Sequence, residues 1–252
     1  PFGDFMRVLF PMAGDDNTPE GEQVNIYGNH VGSWNFAATA YLNRWKVKIY
    51  YEHYFDDHSQ MFFQYGRWKD GHIGLEITFP KNRFIDTFVY EGLGTKDQTG
   101  PMLYDSFWGK FEEQISAKDN YYNHYLYQGW QHWGMGIGNP LLPGPIYNKN
   151  GQITFISNRV LAHHIGFCGS PCQSLSYRML LSYSRHCGTY DNPLNEIKKQ
   201  FNSLFEVTYA PQQLKGWSFT VSGAMDRGSI LGNNYGGMLV IRKQGIIKSG
   251  NK

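Results

Sequence analysis

The sequence predicts an all-β fold, an antiparallel transmembrane β-barrel that crosses the bilayer with its strands. Three observations predict it. Apolar and polar residues alternate with period two over about ten segments. The connections between segments alternate short and long. Aromatic residues gather near segment ends on the apolar side.

The alternation is read segment by segment. In 33–42, Trp34, Phe36, Ala38, Ala40 and Leu42 share one face, and Ser33, Asn35, Ala37, Thr39 and Tyr41 share the other. In 45–55, Trp45, Val47, Ile49, Tyr51, His53 and Phe55 oppose Lys46, Lys48, Tyr50, Glu52 and Tyr54. In 72–79, Ile73, Leu75, Ile77 and Phe79 oppose His72, Gly74, Glu76 and Thr78. The pattern returns in 174–184, 201–209 and 217–226, and more weakly in 4–10, 83–92, 155–167 and 235–243. Many segments approach the ~9–11 residues that a tilted membrane strand needs.

Alternation also fits a soluble sandwich, and the connections separate the two. Short turns are expected at Asn43-Arg44, 80–82, 169–171 and 211–215. Long loops are expected at 11–31, 56–70, 93–154, 186–199 and 227–234. Outer-membrane barrels have short periplasmic turns and longer outside loops. Trp34, Trp45, Phe55, Tyr183, Tyr209 and Trp217 fall where two interfacial girdles would lie. The opposite face carries Lys46, Lys48, Glu52, Glu76, Arg178, Glu206 and Asp226. In a barrel these line a wet lumen, and in a sandwich they form a solvated outer face.

Composition narrows the class further. A net charge of +2 gives no field that points to nucleic acid. No apolar run reaches the ~18 residues of a helical span. The mean hydropathy of -0.49 looks soluble, but alternating barrel strands average out as polar. The chain starts at Pro1 with no signal peptide, and an exported barrel needs one, so it reads as a processed or truncated piece. Cys168 and Cys172 flank Gly169-Ser170-Pro171 and either pair across a turn or stay free thiols beside a hairpin; Cys187 stands apart. No cofactor or metal site is read.

The 93–154 segment is too long for a simple connection. Tyr121, Tyr122, Tyr125, Tyr127, Trp130 and Trp133 crowd one stretch of it, so an ordered loop folded over or into the barrel is expected. Aromatic faces suit the C–H face of a pyranose. Tyr121, Tyr122, Tyr125, Trp130 and Trp133 are therefore candidate stacking rings, with Asn123, Gln128 and Gln131 to meet hydroxyls. The alternative is that these rings pack the loop's own core. Gly134, Gly136 and Gly138 lack the strand and helix of a dinucleotide site and imply tight packing. His163 and His164, adjacent on a strand, face opposite sides and share no metal. Enzyme readings rest on weaker features: Glu112, Glu113 and Asp119 as glycosidase carboxylates, or Asp57-His58-Ser59 as a lipase-like set. No enzyme is read from them.

Several runs together resemble the capsule assembly Wzi family in its Bacteroides-type form. They are Gly28-Asn29-His30-Val31-Gly32-Ser33-Trp34-Asn35, Glu52-His53-Tyr54-Phe55-Asp56-Asp57-His58-Ser59, and Tyr90-Glu91-Gly92-Leu93-Gly94-Thr95-Lys96-Asp97-Gln98. The block DNYYNHYLYQGWQHWGMGIGNPLL from Asp119 to Leu142, Ser157-Asn158-Arg159-Val160, and Leu231-Gly232-Asn233-Asn234-Tyr235-Gly236 complete the set. The resemblance implies an outer-membrane barrel of about eighteen strands, monomeric, that binds and anchors capsular or extracellular polysaccharide as a lectin. It implies that residues 1–252 are the C-terminal part of that single domain. A porin-like channel is the alternative, and a surface glycosidase or lipase a more distant one.

Overall fold

The computed structural model describes residues 2–9, 15–18, 23, 30–55, 70–82, 84–98, 120–124 and 128–245. Strands form at nine of the expected segments: β1 (Gly32–Leu42), β2 (Trp45–Phe55), β3 (Gly71–Thr78), β4 (Thr87–Gly94), β7 (Val160–Cys172), β8 (Leu175–Gly188), β9 (Pro193–Tyr209), β10 (Trp217–Gly228) and β11 (Asn234–Lys243). Between β4 and β7 stands a small hairpin, β5 (Gln131–His132) and β6 (Met135–Gly136), followed by a 3-10 turn at Pro145–Tyr147. The nine strands make one antiparallel sheet in the order β1-β2-β3-β4-β7-β8-β9-β10-β11. The protein is therefore mainly β. Among the described residues the sheet is open, with β1 and β11 as its edges and no closed barrel.

Several expectations need correction. The segment 4–10 is not a strand: Phe2–Leu9 form the helix α1. Phe2, Phe5 and Leu9 recur at helical spacing along its exposed side, and Arg7 bridges Asp4 at 3.5 Å and Asp15 at 2.6 Å. The turn expected at 80–82 runs over 79–86, because Asn82 accepts from the N–H groups of Phe84 and Ile85 and holds the chain in a wide loop. The turn expected at 169–171 lies instead inside β7, which continues to Cys172 through a bulge. The long loop expected at 186–199 is mostly strand, and only 189–192 connects β8 to β9. The polar run 193–200 had hidden the first half of β9. The 229–233 connection is short too, so long and short connections are not sorted as cleanly as expected.

The two faces of the sheet divide as the alternation implies, but the apolar face is the bare one. Phe36, Ile49, Phe205, Val221 and Leu239 stand 51–66 % exposed. On the opposite face Val160, Ala162, Ser184, His186, Gln200 and Ser222 are buried. A soluble sheet would do the reverse, burying its apolar face. Among the described residues the buried apolar core is Tyr122, Leu142, Phe155, Val160 and Ala162, with Val31, Leu93, Trp130 and Leu141 packed against it. It lies where residues 120–124 and 128–159 pack onto the polar face.

Cys168, Cys172 and Cys187 are all free thiols, so the Cys168–Cys172 pairing is not made. Cys168 sits in the ladder opposite Arg178, while Cys172 lies past the bulge.

Candidate functional site

The antiparallel register lines up a polar belt across seven strands, β2 to β4 and β7 to β10, and Ser33 on β1 joins it by a hydrogen bond. Glu52 faces His72, Glu91 faces His164, His164 faces Ser182, Ser182 faces Asn202, and Asn202 faces Asp226. Hydrogen bonds tie its members together. Ser33 Oγ donates to Glu52 Oε1 at 2.7 Å, and Tyr50 Oη donates to Glu91. His72 lies between Glu52 (3.8 Å) and Glu91 (3.6 Å). His164 Nδ1 and Ser182 Oγ are 2.6 Å apart, and Asn202 Nδ2 donates to Asp226 Oδ1 at 2.6 Å. The belt's carboxylates thus keep partners despite partial burial.

All seven residues expected on the polar face lie on it. Lys46 pairs with Glu76 at 3.4 Å, and Arg178 with Glu206 at 3.3 Å. Ser222 Oγ donates to Glu206 Oε2 at 3.0 Å. Lys48 stands over the Tyr50 ring at 5.2 Å. Glu52 and Asp226 belong to the belt. His163 and His164 do face opposite sides: His163 meets Tyr90 Oη at 2.7 Å on the apolar face.

A cavity of about 770 Å³ opens between the belt and the loop. Its sheet wall is Ser33, Glu52, Tyr54, His72, Glu91, His164 and Ser182; its loop wall is Tyr121, Tyr122, Trp130, Asn139, Leu141 and Leu142. That volume is within the ~300–1,000 Å³ usual for small-ligand sites. One wall is charged and hydrogen-bonding, the other aromatic and aliphatic. Among the described residues no lysine or arginine lines it.

The loop wall is fixed by hydrogen bonds that sequence reasoning missed. Thr95 Oγ1 donates to Asn158 O at 2.6 Å and accepts from Val160 N–H at 2.9 Å. Gln98 Nε2 donates to Asn158 Oδ1, and Asn158 Nδ2 donates to Tyr121 O. Asp70 is buried and accepts from Tyr121 Oη and Asp97 N–H, both at 2.9 Å. Burial pushes its carboxyl up to about 6, against the opposing pull of these hydrogen bonds. Burial also raises the Tyr122 phenol.

The aromatic candidates separate. Tyr121 and Tyr122 are buried. Trp130 stacks on Tyr122 at 5.6 Å and 13°, and Phe155 meets Tyr122 edge-on at 5.1 Å. Trp133 stands 86 % exposed at the tip of the β5–β6 hairpin. Tyr122, Trp130 and Trp133 all hold positive φ (72°, 54° and 53°), uncommon for bulky residues and a strain often found at binding sites. The polar candidates are engaged within the loop. Asn123 exchanges hydrogen bonds with Phe155, Gln128 donates to His124 O, and Gln131 accepts from Gly134 N–H. Tyr125, Glu112, Glu113, Asp119 and Asp57-His58-Ser59 lie outside the described residues. The glycines pack tightly, as expected: a Cβ on Gly138 would come within 2.7 Å of Tyr122 Oη, and one on Gly136 within 3.0 Å of Phe155.

Among the described residues no group of three or more His, Cys, Asp or Glu could hold a metal ion. None of their helices is long and apolar enough to cross a membrane, which says nothing of strands. Comparison with known protein families, curated proteins and solved structures finds no match to this chain.

Proposed function

We propose that the sheet is part of an outer-membrane β-barrel that binds and anchors capsular or extracellular polysaccharide at the cell surface. One observation carries the membrane reading: the sheet is inside-out, with its apolar side chains bare on one face and its charged ones, mostly half-buried, on the face that the loop packs against. Contiguous apolar surface of this extent is rare on soluble monomers, and lipid is the solvent that suits it. The eleven residues of β1 extend about 36 Å at ~3.3 Å each, which at a 45° tilt spans the ~25 Å apolar band of such barrels. Trp34 near Phe55 at one end, and Trp45 near Phe79 at the other, support two aromatic girdles.

The cavity supports the lectin reading. Carboxylates and histidines accept and donate to sugar hydroxyls, while Trp130, backed by the buried Tyr122, offers an apolar ring face. The loop packs on the polar face, which favours a binder over an open channel. Each sugar contact is weak, so retention rests on many contacts along one polymer. The test is capsule retention on cells. Trp130→Ala strips the cavity wall and Trp133→Ala removes an exposed ring outside the core; both are expected to release capsule into the medium at normal protein level in the membrane. Full retention by both variants at that level contradicts the reading.

A further inference from the structure

The apolar face carries cations but, over its paired rows, no carboxylate; Glu52, Glu76, Glu91, Glu206 and Asp226 all stand on the other side. Three of those cations sit together at the loop end. Arg185 on β8 lies directly opposite Lys199 on β9. Arg227 on β10 lies opposite Phe201, one same-face position from Lys199. Side chains directly opposite have Cβ atoms roughly 5 Å apart and diagonal ones roughly 7–8 Å, so the three side chains share one patch of this face.

Like charges directly opposite in a ladder destabilise it. Among the described residues no ion pair offsets this repulsion. All three residues are exposed, and none enters an ion pair among the described residues. Arg178, also exposed but on the polar face, is given Glu206. The rows just inside the cluster are mostly apolar: Tyr183 and Phe201 face each other, Leu181 faces Ser203, and Met179 faces Phe205 further along. A ligand that satisfies both parts must be anionic at one end and hydrocarbon at the other. Two guanidinium forks and an ammonium suit phosphate oxygens.

We propose that Arg185, Lys199 and Arg227 form a binding site for the phosphate headgroup of a membrane lipid in the leaflet at the loop end, its acyl chains lying along Tyr183, Phe201 and Phe205. This rests on the reading that the apolar face meets lipid. It explains why three cations stand unneutralised beside an apolar band, and it gives that leaflet's lipid a role in holding the loop end of the sheet.

The test uses the intact protein in nanodiscs of phosphatidylcholine doped with diphosphorylated lipid A or its dephosphorylated counterpart, with bound lipid counted by native mass spectrometry. The wild type is expected to retain the phosphorylated lipid at least tenfold over the dephosphorylated one. The combined Arg185→Gln, Lys199→Gln, Arg227→Gln variant should lose that preference. Lys243→Gln, which removes a cation from the other end of the same face, should keep it. Equal retention by the triple variant, or equal retention of the dephosphorylated lipid, overturns the proposal. So does displacement of the lipid by millimolar inorganic phosphate alone, which would make the site one for the free anion. A protein that enters the nanodisc without lipid preference refutes this site alone; one that does not enter refutes the membrane reading beneath it.

Discussion

Asp70 shows how far one residue can set the behaviour of the loop. Its carboxyl is buried beside Tyr121 and the Asp97 amide, and its folded value of about 6 lies above the ~3.9 of an unfolded Asp. A raised acid binds its proton more tightly when folded. Its contribution is therefore fully present below pH ~4 and is lost as the pH rises through about 6, by roughly 3 kcal/mol at most. Asp70→Asn keeps an acceptor for Asp97 N–H and removes the charge. Hydrogen exchange at 95–98 and 120–124 should be slower at pH 5 than at pH 8 in the wild type, after correction for intrinsic rates. In Asp70→Asn it should be insensitive to pH and slower than wild type at pH 8. Equal protection of the wild type at both values would refute this. Asp70 was invisible beforehand because nothing in the sequence says that Tyr121, fifty-one positions away, would cover it. Asn123, Gln128 and Gln131 were legible as polar groups among aromatics. That the backbone of 124, 134 and 155 would occupy them was not.

At the scale of elements, the strands with strict alternation were readable almost to the residue, since β2 runs from Trp45 to Phe55 as the pattern does. Failures came where no apolar residue marks every second position. In the first half of β9 only Pro193 and 198–200 pair with β8, across a register shift, beyond the apolar band, where no apolar face is needed. In α1 the chain is short enough for either period to fit. The β5–β6 hairpin has two-residue strands, below what periodicity can detect. Trp133 and Gly134 both take positive φ at its tip, the turn geometry that suits a tight hairpin. Gly144 closes the hairpin's packing: a Cβ there would come within 2.5 Å of Gly136 N and 2.6 Å of Gly134 O. Backbone atoms on both sides leave no room to yield. Gly144→Ala is expected to loosen the hairpin, giving new protease cleavage in 128–150 while the nine-strand sheet keeps its circular-dichroism signal. Unaltered cleavage would contradict the tight seat.

For the whole molecule, polarity decides more than length or charge. The residue pattern told which side chains share a face. Which face would be bare was read from loop lengths, and that argument held less well than the faces themselves: 189–192 and 229–233 are shorter than the 79–86 and 210–216 connections at the other end. The bare apolar face and the belt from Ser33 to Asp226 now carry the account. Fluorophores on single cysteines, placed in the intact protein in membrane vesicles with Cys168, Cys172 and Cys187 changed to Ser, test it most directly. Ile49→Cys, Leu75→Cys, Val221→Cys and Leu239→Cys should be quenched by acyl-chain spin labels and shielded from iodide. Lys48→Cys, Glu76→Cys, Glu206→Cys and Ser222→Cys should escape the acyl-chain labels. Equal quenching of both sets, or lipid quenching of the second set alone, would contradict the inside-out sheet on which the proposed function stands.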